Sequence, residues 1–268
     1  MVNAMTEFIL PSNARSLNLR YRSPDKRLES WVQCLWSVGG AISLTDPQTE
    51  KFYPDAGASL SIKLARSRPV VTLCFNTTTL IDTLDTTVPC LGIRFRAAGA
   101  HSLLGLSPEA FTDIECHLDN ELVPLGLVPV VERLYSLDAQ QGLNLLETWL
   151  LHRLEHQPPL NGRITRIVQA IGALHLPPQE IGATLGLTRR TLERQLKREV
   201  GVTPGQLVAY ARLDRARHAL LSTTLPLTDI ALHCGYYDQA HFTHAFQSLT
   251  YETPAAYRKR KLSQIYKA

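Results

Sequence analysis

Two stretches of the chain carry the same order of apolar and polar positions. The first, EIGATLGLTRRTLERQLKREVGVTPGQL, spans Glu180–Leu207, and the second, DIALHCGYYDQAHFTHAFQSLTYETPAAY, spans Asp229–Tyr257. Ile181, Gly186, Leu187, Leu192, Leu196, Thr203 and Pro204 answer to Ile230, Gly235, Tyr236, Phe242, Phe246, Thr253 and Pro254. The offset is 49 residues at the glycine and 50 in the segment that follows, so the second turn is one residue longer. Each copy predicts a short helix, a turn and a longer helix ending before Thr-Pro. Glycine accepts the positive φ at which a chain leaves a helix. Thr188 and Asp238 stand where the second helix needs an N-cap. Leu192 with Leu196, and Phe242 with Phe246, are four apart and form a buried stripe. Between the copies, Gly205–Ser222 reads as one helix, about 27 Å long at ~1.5 Å per residue.

The first half follows a different period. Trp31–Val38, Ser59–Leu64, Pro69–Phe75 and Cys90–Phe95 read as strands, with Asn76–Asp85 a loop or edge hairpin. Ala97–Leu106 and Pro108–Ile114 suggest short helices. Leu122–Tyr135 and Gln141–His156 suggest longer ones, the last with Leu143, Leu146, Leu150 and Leu154 at helical spacing. Gln157–Gly162 (QPPLNG) cannot continue that helix. Arg163–Leu174 restarts as an amphipathic helix, Pro177 and Pro178 introduce the first copy, and Thr228 is the expected cap of the second copy's first helix. The fold class is α+β: a β-rich N-terminal domain with following helices, then an all-α C-terminal domain of two helix-turn-helix units joined by a long helix. The expected division is 1–156, a linker at 157–162, and 163–262.

Opposite each buried stripe lies a polar face. In the first copy it holds Arg189, Arg190, Glu193, Arg194, Lys197 and Arg198; in the second, Gln239, Ala240, His241, Thr243, His244 and Gln247. Arg, Gln, Asn and Glu are the long side chains that read base edges, with His and Thr in support. Arg190 and Arg194 suit bidentate pairing with guanine, Gln239 suits adenine, and Glu193 suits cytosine or else a salt bridge to Lys197. Arg189 and Arg198 suit phosphate.

Charge supports a polyanion partner for this half. Residues 1–159 hold 13 Lys+Arg and 17 Asp+Glu, a net −4; residues 160–268 hold 15 and 7, a net +8. Arg212, Arg215 and Arg217 on the long helix read equally as a solvated face or as phosphate contacts, and the tail RKRKLSQIYKA as a source of non-specific attraction to DNA. Arg94 and Arg96 share a strand face, read as solvated in preference to an anion site. The tryptophans Trp31, Trp36 and Trp149 read as core.

The tandem pattern resembles the DNA-binding domain of AraC/XylS-type bacterial transcription regulators. The residues that carry the likeness are Arg212, Leu213 and Ala216 ahead of the second copy, the run DIAxxxGYxDxxHFxxxF, and Thr253, Pro254, Tyr257 and Arg258. His244 stands where the family often has Arg. Phe52–Leu64 and Leu91–Asp113 are similar to the N-terminal portion of one group of these regulators, with Ala56 in place of a glycine and Gly57 one later. The resemblance implies a transcription activator with double-stranded DNA and RNA polymerase as partners. It also implies a sensing or dimerisation domain, hence a small-molecule effector and a second copy of the chain as further partners.

The competing class is a thiol- or metal-responsive sensor, or an alkyl-transfer enzyme, in the N-terminal half. Cys34, Cys74, Cys90, Cys116 and Cys234 are scattered and show no CxxC spacing, which points to reduced thiols in a cytoplasmic protein. Cys90 lacks the following His of alkyl-transfer relatives, and Cys116–His117 has no base and orienter at recognisable spacing. His241 and His244 lack a third metal ligand. The expectation is therefore no enzyme, no cofactor, no metal, and no signal peptide or membrane span.

Overall fold

The computed structural model describes residues 18–39, 48–84, 87–113, 115–156, 164, 165, 167, 168, 171, 180, 182, 183 and 186–267. The expected linker at 157–162, Pro177 and Pro178 lie outside them. Ile164, Thr165, Ile167, Val168 and Ile171 are helical, as the amphipathic pattern predicts.

The first half is an antiparallel sheet backed by helices. Its strands are β1 (Arg20–Arg22), β2 (Val32–Val38), β3 (Gln48–Phe52), β4 (Ala58–Lys63), β5 (Val70–Cys74), β6 (Leu80–Leu84), β7 (Cys90–Phe95) and β8 (Glu115–His117). Six form one sheet in the order β1-β2-β7-β4-β5-β8, and β3 pairs with β6 as a separate two-stranded ribbon. The alternation in SLSIKL buries Leu60 and Ile62 completely. Gly57 is required by close approach: a Cβ there would stand 2.3 Å from the Phe95 carbonyl oxygen. Ala56, in the glycine's usual place, keeps a positive φ of 63°.

The helices of this half are α1 (Gly99–Leu104), a 3-10 turn (Pro108–Ala110), α2 (Val128–Leu134) and α3 (Ala139–His156). Leu143, Leu146, Trp149 and Leu150 of α3 are buried, and the Trp149 indole donates to the Leu125 carbonyl at 2.9 Å. Trp36 is half-buried, its ring lying over Gly92.

Three expectations are corrected here. The helix over Leu122–Tyr135 begins only at Val128, because Pro129 sets its first turn and Gly126 breaks the preceding segment. Of the helix expected over Pro108–Ile114, the described residues give one 3-10 turn, Pro108–Ala110. Gln48–Phe52, too polar to read as a strand, becomes one by pairing with Leu80–Leu84, so Asn76–Asp85, expected as a loop or edge hairpin, supplies a strand that partners a distant segment instead.

The second half contains α4 (Arg189–Val200), α5 (Pro204–Ser222), α6 (Leu227–His233), α7 (Gln239–Thr250) and α8 (Pro254–Lys267). Among the described residues no helix is long and apolar enough to cross a membrane. The two halves share their apolar cores. Leu192, Leu196, Val200, Leu207, Val208 and Tyr210 join the cluster that includes the sheet. Leu213, Ala216, Leu220, Ile230, Phe242, Phe246 and Tyr257 form a second cluster, entered by Tyr53 from the end of the ribbon.

Polar contacts reinforce both junctions. The Tyr210 hydroxyl donates to the Thr77 carbonyl at 2.7 Å, and Thr79 donates to the Leu249 carbonyl. Glu252 is the hub of the ribbon contact. It accepts from Lys51 Nζ at 3.3 Å, Tyr53 Oη at 3.1 Å, and Arg260 Nε and Nη2 at 3.0 and 2.6 Å. Beside it Lys261 and Glu50, each side chain 5% exposed, pair at 3.3 Å.

Burial alone would raise the Glu252 carboxyl, but the Arg260 hydrogen bonds, with the charges of Arg260 and Lys51, hold it below its ordinary 4.5. A depressed acid contributes stability that is present above the unfolded value and lost as pH falls through the folded one. Glu252→Gln should therefore cost about 2 kcal/mol at pH 7. It should also flatten the acid limb of the stability curve below pH 4.5. Urea melts of both proteins across that range check it; parallel curves would remove Glu252 from the role given.

Candidate nucleic-acid interface

Each of the two recognition-type helices is started by a side chain and stopped by backbone chemistry. Thr188, extended at φ −67°, accepts from the Thr191 amide and caps α4. Asp238 accepts from the His241 amide at 2.7 Å and caps α7. The turns ahead of them carry Gly186 at φ 64° and Gly235 at φ 83°, the left-handed conformation that the repeat predicts. Thr203 and Gln206 form a reciprocal capping box at the start of α5, with Pro204 at the first helical position. Thr253 caps α8 similarly, accepting from the Ala256 amide at 3.2 Å. Thr228 is not a cap: α6 starts after Pro226, and Thr228 sits inside it, donating to Asp229.

The buried stripes are as spaced. Leu192, Leu196, Phe242 and Phe246 are at most 1% exposed. Phe246 meets Phe242 and Tyr257 edge-on at 5.6 and 5.4 Å between centroids. With those faces committed inward, the opposite faces point outward. Arg189, Arg190, Arg194, Lys197 and Arg198 are exposed on α4, with Glu193 partly so. Gln239, Ala240, His241, His244 and Gln247 are exposed on α7, with Thr243 partly so. Gln239, Ala240, Thr243, His244 and Gln247 line one open recess along that face. The structure thus brings each set onto one helix face.

Their electrostatics differ. Arg190 and Arg194 make no ion pair among the described residues. Arg189 donates to Glu193 at 2.8 Å, and Arg198 pairs with the buried Glu199. The partner expected for Glu193, Lys197, instead donates to the Gly201 carbonyl at 3.3 Å. His241 is oriented: its Nδ1 accepts from the Tyr237 amide at 3.3 Å, and its ring stands edge-on to Tyr236. That bond places the neutral ring's proton on Nε2, as an outward donor. Tyr237, 86% exposed at the foot of α7, is absent from the residues singled out by pattern. Its doubled Tyr236–Tyr237 context was the available signal: one ring fills the turn and the other has nowhere inside to go.

Other basic residues are not where charge alone puts them. Arg212 stacks on Tyr236 at 6.0 Å. Arg217 lies 4.3 Å over the Tyr53 ring and donates to Tyr257 Oη at 3.2 Å. Of the tail, Arg258 donates to the Leu220 and Leu225 carbonyls, while Arg260 and Lys261 serve the ribbon contact. Arg94 is likewise no solvated strand residue: it donates to Ser59 at 3.0 Å and pairs with Asp55. Arg96 donates through Nε to the Glu29 carbonyl at 2.9 Å. Among the thiols, burial pushes Cys34 up to about 11, which leaves it a poor nucleophile at neutral pH.

Residues 181–260 match a family described as a helix-turn-helix domain, and residues 20–117 match a domain of unknown function, DUF6597. The HTH-type transcriptional activator RhaS of Klebsiella pneumoniae (strain 342) is 42% identical over 69 residues, covering 26% of this chain and 25% of that protein. RhaS of Escherichia coli O157:H7 (strain EC4115 / EHEC) is 46% identical over 61 residues, 23% of this chain and 22% of that protein. The chain thus spans about a quarter of the length of the curated relatives it matches. A solved transcriptional regulator of Chromobacterium violaceum, one of the AraC-type DNA-binding domain-containing proteins, is 27% identical, covers 38% of this chain and 96% of its own, and has a TM-score of 0.34. Residues 181–260 are a helix-turn-helix domain. They are of the AraC/XylS regulator type.

Asp238→Ala should lower stability by about 1 kcal/mol, while Asp238→Asn, an equally good cap, should stay near wild type. Thermal or urea melts of the three proteins decide it; equal losses for Ala and Asn would show that charge, and not the capping bond, matters.

Proposed function

We propose that the chain is a sequence-specific regulator of transcription that places α4 and α7 in successive major-groove segments of double-stranded DNA. The observation that carries the reading is the pair of capped helices with exposed polar faces, set on one continuous helix. Pro204–Ser222 is 19 residues. At ~1.5 Å each it is about 28 Å long. Groove faces on one side of DNA recur about every 34 Å. A modest bend would bring the two into register.

In this reading residues 1–156 are a sensing or dimerisation domain, 157–162 a linker, and 163–262 the DNA-binding domain. Arg190 and Arg194 read guanine. Gln239 reads adenine, with Ala240, His241, Thr243 and His244 along the same groove floor. Arg189 and Arg198 exchange Glu193 and Glu199 for phosphate, and the freed Glu193 accepts from cytosine. Similarity to relatives named as transcriptional activators supports activation, and so contact with RNA polymerase. A small-molecule effector and a homodimer complete the proposal.

Arg190→Ala or Arg194→Ala should weaken the preferred duplex by ~1–3 kcal/mol, with the loss confined to one base position. Arg198→Ala should weaken all duplexes alike and reduce the salt slope by about one. Titration of a selected duplex and its single-base variants at several salt concentrations separates the two. Uniform losses for Arg190→Ala and Arg194→Ala would defeat base reading.

A further inference from the structure

The internal repeat sets the outward faces of α4 and α7 in register. After the turn the offset is 50 residues, so Arg190, Glu193 and Arg194 of α4 answer to Ala240, Thr243 and His244 of α7. Each helix is capped at its matching residue, Thr188 or Asp238. Each buries its matching pair, Leu192 with Leu196 or Phe242 with Phe246. A shared cap and a shared buried stripe fix which positions of a helix point away from the core. Arg190 and Ala240 therefore stand at equivalent outward positions, and the helices differ in what they put there.

α4 puts a guanidinium, a carboxylate and a second guanidinium at these three positions. α7 puts a methyl group, a threonine and an imidazole. The segment Gln239–Thr250 contains no Lys, Arg, Asp or Glu. Asp238, at its foot, is taken up by the His241 amide. Guanine is read by Arg or Lys, and cytosine by Glu or Asp. α7 carries neither kind of reader. An imidazole is a single donor, and the N7 acceptor it could meet is common to both purines. What remains are the amides of Gln239 and Gln247, which suit adenine, and apolar surface, which suits the C5-methyl group of thymine.

That apolar surface is concave. Gln239, Ala240, Thr243, His244 and Gln247 line one open recess. Ala240 is the shortest of the five and offers only its Cβ methyl. Thr243, partly exposed and three residues on, is its neighbour on the helix face and adds a second methyl. On the opposite face the edge-on contacts of Phe246 with Phe242 and Tyr257 anchor the helix.

We infer that the recess on α7 is a seat for the C5-methyl group of thymine, floored by Ala240 and Thr243 and flanked by glutamine amides that take adenine. The preferred DNA is then bipartite, with guanine facing Arg190 and Arg194 and A·T pairs facing α7. The seat rests on the proposed reading of α4 and α7 as groove-reading helices, and supplies the base chemistry of the second.

The full chain is first used to select duplexes from a random-sequence pool. Each thymine of a selected duplex is then replaced in turn by deoxyuridine, which removes the methyl group and keeps every hydrogen-bonding group. At one position affinity should fall about fourfold, the worth of one buried methyl group. Cytosine placed there should bind more weakly than thymine, and 5-methylcytosine should recover a similar factor. Thr243→Ser, which deletes a methyl and keeps the hydroxyl, and Ala240→Gly should each shrink the thymine-over-uracil ratio at that position alone. Ala240→Arg should move the preference there to guanine. No thymine sensitive to uracil, or a ratio unmoved by both Thr243→Ser and Ala240→Gly, would overturn the seat and leave sequence-specific binding standing. Failure to select any sequence over random competitor would instead sink the regulator reading, and the seat with it.

Discussion

One helix belongs to two cores, and the rest of the arrangement depends on it. The first half of α5 gives Leu207, Val208 and Tyr210 to the cluster shared with the sheet and α4. Its second half gives Leu213, Ala216 and Leu220 to the cluster around Phe242 and Phe246. A helix with hydrogen bonds along its length cannot flex between these halves without breaking them, so the positions of α4 and α7 are coupled. The capping box at Thr203 and Gln206 sets where that helix begins, and therefore which residues face each cluster.

Docking of the β3–β6 ribbon adds a second constraint, and it changes the meaning of the charge. The C-terminal excess of positive charge looks like a field directed at a polyanion. Yet Arg217, Arg258, Arg260 and Lys261 spend their donors on carbonyls, tyrosines and carboxylates within the protein. Among the described residues of the C-terminal half, the exposed cations concentrate on α4. The two candidate reading faces are therefore unequal: α4 offers guanidinium groups with strong, salt-dependent attraction, while α7 offers amide, imidazole and hydroxyl groups whose use depends on close fit. Burying Lys261 beside Glu50 is poor evidence of stability, since desolvation opposes the pairing; burial lowers the lysine to about 8. Its value is positional, because it ties the ribbon to one place on α8.

Much of the candidate interface was legible in advance. Gly186, Gly235, Thr188 and Asp238 do what their spacing predicts. Leu192, Leu196, Phe242 and Phe246 are buried as a stripe, which turns the facing polar residues outward. The strands at Ala58–Lys63, Val70–Cys74 and Cys90–Phe95 also follow from pattern. What failed was of another kind. Gln48–Phe52 has no strand pattern of its own, and Arg94 looks solvated until Asp55 is placed beside it.

The sequence by itself determined the periods, caps and turns, because each acts among residues within about five positions of one another and needs no knowledge of the rest of the chain. It determined, too, which helix faces stay polar. Tertiary structure alone decided which basic residues remain available. The partners of Arg260 and Lys261 include Tyr53 and Glu50, more than 200 residues away, and no local pattern marks a contact at that separation.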